Sequence, residues 1–150
     1  MIKSKKREII CTVLICANLA FIWGNSLMTG AESGALSGGI LDWINRFLGL
    51  GEAGAQQLHH FIRKAAHFTE FACLGALFCW RFGMAEQKKT HIAAFSFLGS
   101  LMAACTDETI QIFVDGRGSS LLDVWTDAFG AMTGIIVLLL GHHLIVKKHS

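Results

Sequence analysis

Arg63, Lys64, His67 and Glu70 follow one another at spacings that place them on a single helical face. Residues three, four and seven apart come into register at about 100° per residue. Two further sets lie downstream: Asp107, Glu108 and Gln111, then Asp123 and Asp127, with Arg117 between them. The basic members Arg63, Lys64 and Arg117 could hold a phosphate or carboxylate, Arg through bidentate geometry and Lys as a point charge. Gln111, Asp123 and Asp127 complete the candidate binding set. Glu70, Asp107, Asp123 and Asp127 offer oxygen ligands for a divalent cation. His67, Glu70, Asp107 and Glu108 are the candidates for proton transfer, and His67 titrates nearest neutral pH. These residues do not by themselves say whether the chain is a catalyst.

The setting of these charges is apolar. The chain has 150 residues, 53% hydrophobic and 16% charged, with a mean hydropathy of +0.49. Soluble domains carry roughly 25% charged residues, so the balance points to an integral membrane protein of one domain, residues 1–150. It excludes a disordered chain, and net +2 argues against a nucleic-acid binder. Cys11, Cys16, Cys73, Cys79 and Cys105 lie in apolar runs with no CxxC pair, so no disulfide framework is expected. The basic start, Lys3 to Arg7, is followed by no small-x-small cleavage pattern, and the first apolar stretch reads as a retained span.

Four stretches can cross a hydrocarbon core of about 30 Å: approximately residues 9–28, 61–82, 91–113 and 123–146. The fold expected is therefore all-α, an integral membrane four-helix bundle. A short amphipathic helix over 40–48, with Trp43 at headgroup level, should lie in the outer interface between spans one and two, or pack on the bundle as a connector. With both termini cytoplasmic, nine basic and two acidic residues lie inside, against four basic and nine acidic on the outer half. That distribution satisfies the positive-inside rule and gives a multi-pass protein of the cell membrane.

Ionisable residues cost roughly 2.5–3.5 kcal/mol each at the centre of a span on insertion scales. They are therefore expected to face the bundle interior. At about 1.5 Å per residue, Glu70, Asp107 and Asp127 all fall roughly 6–9 Å below the outer surface. Span three offers a small and polar stripe, Ser96, Ser100, Ala104, Asp107 and Gln111, with Glu108 at its edge. On span four, Asp123, Asp127, Gly130, Gly134 and Gly141 line up, and the Gly130-x-x-x-Gly134 spacing suits either close packing within the bundle or a dimer. His59 and His60 read as interfacial polar residues, since neighbours on a helix diverge by about 100°. His142, His143 and His149 should lie at the cytoplasmic end beside Lys147 and Lys148.

Two runs carry a resemblance. Lys64-Ala65-Ala66-His67-Phe68-Thr69-Glu70-Phe71 with Gly75 resembles the K-x-x-H-F-x-E-Y motif of the VanZ-like membrane proteins. Asp107-Glu108, Gln111, Phe113, Arg117, Asp123, Asp127 and Gly130 are similar to that family's D-E-x-x-Q-x-F, R, D-x-x-x-[ND]-x-x-G pattern. Asn25-Ser26 resembles the Ser-containing end of the family's first helix. Phe71 stands where Tyr is common, and Asp115-Gly116 where Pro-Gly is frequent. The resemblance implies a bacterial cell-envelope setting and a link to resistance against the glycopeptide teicoplanin, but no reaction.

Three functions compete. The polar layer could bind or act on an anionic lipid-linked cell-wall precursor, or on a glycopeptide, at the outer leaflet. The chain could instead be a noncatalytic partner of an envelope enzyme or sensor. An ion or proton-coupled transporter is disfavoured by the apolar inner halves of the spans. Beside all three stands a structural reading, in which Lys64, Arg117 and His67 neutralise the acids and fix helix register.

Overall fold

The computed structural model describes residues 2–32, 44, 46–47, 49, 51–85 and 88–148. Four long helices account for most of them: α1 (Ile2–Ser26), α2 (Glu52–Gly83), α3 (Lys89–Ile112) and α4 (Leu121–Lys148). No strand occurs among the described residues. The short helix expected over 40–48 lies mostly outside them; its described members Ile44, Arg46 and Phe47 are helical.

Apolar periodicity explains which faces meet. On α1, Cys11, Ile15, Ile22 and Ser26 are buried, at spacings of four and seven that form one stripe. Cys11, Ile15 and Ile22 cluster with Phe71 and Leu74 of α2, Ala103 and Ala104 of α3 and Ala131 of α4. A second cluster, Cys79, Ile92 and Ile135, joins α2, α3 and α4 further along. Helix α2 packs against all three others, most extensively against α4.

Glycines set that α2–α4 approach. A Cβ added at Gly130 would overlap the Phe68 carbonyl, one at Gly134 the Ala72 carbonyl, and one at Gly75 the Ala131 carbonyl. The two backbones are thus in contact, as small residues allow in closely packed membrane helices. Of the two uses open to the Gly130-x-x-x-Gly134 spacing, the chain employs the internal one.

The outward surface is apolar. Ile9, Val13 and Phe21 on α1, Phe95, Leu98 and Met102 on α3, and Trp125, Val137 and Leu140 on α4 are exposed. Two stretches, Lys5–Ser26 and Leu121–Leu144, are long and apolar enough to cross a membrane. Helices α2 and α3 are as long but carry the charged residues discussed above. Thr12, Thr69, Thr106, Thr109, Thr126 and Thr133 each donate their hydroxyl to the carbonyl four residues back, at 2.7 to 3.0 Å. Such bonds satisfy a hydroxyl without water.

The connections are tied down locally. Thr29 and Glu32 form a reciprocal capping box. The Glu32 carboxylate accepts from the Thr29 backbone N (2.9 Å) and hydroxyl (2.8 Å), and the hydroxyl accepts from the Glu32 backbone N at 3.3 Å. These bonds, the backbone one foremost, hold the Glu32 carboxyl below its usual range. Its local contribution is therefore full above the ordinary carboxylate pKa and is lost as pH falls through the lowered one. Gly116 adopts φ +72°, a left-handed conformation natural to Gly. Its carbonyl lies where a Cβ on Gly30 would be, and Gly30 N donates to Asp115 O at 3.2 Å.

Candidate functional site

Gln111, fully buried near the end of α3, links three helices. Its Nε2 donates to Asp107 Oδ2 on the preceding turn (2.8 Å) and to Ser26 Oγ at the end of α1 (3.2 Å). Its Oε1 accepts from the Arg63 guanidinium of α2 at 2.8 Å. Arg63 can only donate, so it fixes which way the amide faces. Beside this hub, Asn25 Nδ2 donates to Glu70 Oε1 at 3.2 Å. These bonds join polar groups of α2 and α3, as the spacing predicts, and α1 contributes Asn25 and Ser26 to them.

A cleft of about 180 Å³ opens next to this layer, between α2 and the facing ends of α3 and α4. Its walls carry His60, Arg63, Lys64 and His67 on one side and Glu108, Gln111, Asp123, Thr126 and Asp127 on the other. Lys64 Nζ pairs with Asp123 Oδ1 at 2.8 Å across it. Deeper, His67 Nδ1 stands 3.8 Å from Asp107 Oδ2. Asp107 and Asp127 are 0% and 1% exposed. Neither carboxylate oxygen of Asp127, nor Asp107 Oδ1, has a hydrogen-bond partner among the described residues.

Several predicted residues have other work. Arg117 does not line the cleft. Its Nε donates to Met28 O (2.9 Å) and its terminal nitrogen to Asn25 O (2.7 Å), closing carbonyls at the end of α1. Helix ends leave such carbonyls open, and a cation suits them. Arg117→Ala should therefore destabilise the protein by roughly 3 kcal/mol, read as a fall in the unfolding midpoint in detergent, and Arg117→Lys should recover less than half. Glu108 does not sit at an open edge but is 5% exposed. Its Oε2 accepts from Ser120 N at 2.8 Å, and Ser120 Oγ in turn accepts from Leu122 N at the start of α4, at 3.1 Å. Glu70 is joined to Asn25 and is absent from the cleft walls.

Two contacts fit the structural reading of the charges, the pair of Lys64 with Asp123 and the longer approach of His67 to Asp107. His60, expected at the interface, also lines the cleft, one helical turn before Arg63 on the same wall of α2. Thr126 was not singled out at all. Its spacing of three from Asp123 was the available signal.

Comparison with curated proteins and with solved structures returns no match. The VanZ/LLP1 profile matches residues 9–142, a span that contains every residue of the hub and of the cleft. Most of the chain is covered, and the chain belongs to the VanZ/LLP1 family.

Proposed function

We propose that the protein is a four-span component of the bacterial cell membrane, with both termini cytoplasmic, whose cleft binds an anionic lipid-linked envelope molecule at the outer leaflet. The observation that carries this reading is the cleft wall on which Arg63 and Lys64 present two cationic donors side by side, next to His60, in a molecule with an apolar outward surface. The membrane setting is supported by the exposed apolar faces of α1, α3 and α4 and by the threonine hydroxyls turned back on their own helices. Apolar surface of that extent needs a covering. The positive-inside distribution supports the orientation.

In this reading Arg63 and Lys64 hold a phosphate or carboxylate of the headgroup, exchanging the Gln111 amide and the Asp123 carboxylate for the ligand. Lys64 and Asp123 are both partly exposed, so their pairing is weak enough to yield. The inner cluster of Cys79, Ile92 and Ile135 offers no continuation of the polar path, which favours a binding site over a conduit.

The test is lipid retention. Protein purified with native lipid should carry an anionic envelope lipid by mass spectrometry, and Lys64→Ala with Arg63→Ala should lose it while still accumulating in the membrane. Expression of the wild type, and not of that double variant, should raise the teicoplanin concentration needed to stop growth. Equal lipid retention by the wild type and the double variant would sink the reading.

A further inference from the structure

The floor of the cleft poses a question that headgroup binding does not answer. Asp127 lies buried with both oxygens unpartnered among the described residues, beside Asp107, whose Oδ1 is likewise unpartnered among them. A buried carboxylate without a partner is strongly unfavourable. The nearby cations make their direct contacts with other groups: Lys64 with Asp123, Arg63 with Gln111 and Arg117 with the Asn25 and Met28 carbonyls.

One ligand atom each from His67, Asp107 and Asp127 lies within 4.8 Å of the others. We propose that these three side chains bind a divalent transition-metal ion such as Zn²⁺ or Mn²⁺ at the floor of the cleft. An imidazole with two carboxylates suits such ions better than Mg²⁺ or Ca²⁺, which prefer oxygen alone. Ligands at about 2.1 Å from zinc sit roughly 3.4 Å from one another, so the three side chains close inward on binding. Among the described residues Asp127 has no side-chain hydrogen bond to surrender when it does so.

Support for the ligands is already built. Gln111 donates to Asp107 Oδ2, the kind of outer contact that orients a metal-binding carboxylate. His67 and Asp127 both line the cleft, so a fourth coordination position faces it, as in sites that keep a place for water or a ligand oxygen. Glu70, bonded to Asn25 through Oε1, and Asp123, paired with Lys64, are candidate ligands by residue type but fall outside this group of three. The metal site stands independently of the headgroup reading.

Untagged protein in detergent, dialysed against Zn²⁺ or Mn²⁺ and desalted, should retain about one equivalent by elemental mass spectrometry; Mg²⁺ should wash out. Asp127→Asn and His67→Ala should each retain at least roughly tenfold less and lose the metal-dependent rise in melting temperature. Asp123→Asn should keep both properties, as should His142→Ala with His143→Ala. Asp127→Asn replaces a buried carboxyl that has no hydrogen-bond partner among the described residues, so without metal it should melt no lower than the wild type, which separates lost binding from lost folding. Folded wild-type protein that retains no metal would overturn the proposal. So would undiminished retention in Asp127→Asn, or retention that depends on His142 and His143. Lys64→Ala, which leaves the Arg63–Gln111–Asp107 bonds in place, should weaken lipid retention and keep metal, which distinguishes failure of one proposal from failure of the other.

Discussion

Gly134→Ala is expected to destabilise the protein by about 3 kcal/mol, although it adds a single methyl group to a helix interior. The added carbon would overlap the Ala72 carbonyl. That neighbour is main chain, which cannot rotate aside, so α2 and α4 would have to separate along their largest contact. Gly24→Ala and Gly141→Ala provide the comparison, since a Cβ at either position meets nothing within 4 Å. Both should stabilise by about 0.5–1 kcal/mol, the ordinary advantage of Ala over Gly in a helix. Unfolding in detergent reads all three. Identical behaviour of the Gly134 and Gly141 variants would disprove the backbone contact.

Gln111→Leu should cost about 3 kcal/mol, because it removes three hydrogen bonds and leaves a buried carboxylate and a guanidinium without their partner. The size of the loss depends on what is abandoned, not on the amide alone. In the double variant Gln111→Leu, Asp107→Leu the stranded carboxylate is gone, so the combined loss should fall short of the sum by roughly 1–2 kcal/mol. Unfolding midpoints for both single variants and the double variant close the cycle. Strict additivity would mean that the Gln111 amide and the Asp107 carboxylate do not depend on each other.

Much of this layer is legible in the sequence, because helical periodicity is a strong signal where polar residues are rare. The stripe of Ser96, Ser100, Ala104, Asp107 and Gln111 is the buried face of α3. The apolar and glycine spacing of span four likewise gives the face that meets α2. Less legible is the start of α2. The second span reads as beginning near residue 61, yet the helix runs from Glu52, because a helix stabilised by packing extends through one glycine at a cost of about 1 kcal/mol. Roles that depend on main-chain acceptors cannot be read from residue type at all. Arg117 looks like an anion ligand in a list of charges and proves to close the end of α1. Glu108 looks exposed by its angle on the helix, and is buried by the chain that returns over it at Ser120.

The contact between Gly130 and the Phe68 carbonyl has its own consequence for the cleft. Phe68 follows His67 directly, and Gly130 lies one helical turn beyond Asp127. The separation of positions 67 and 127 is therefore gauged by main chain against main chain, not by the side chains that occupy them. Two facing positions held at a fixed gauge form a platform on which side chains can be exchanged while their spacing is kept. New pairs of ligating or reactive groups could be installed at 67 and 127 without redesigning the helices beneath them.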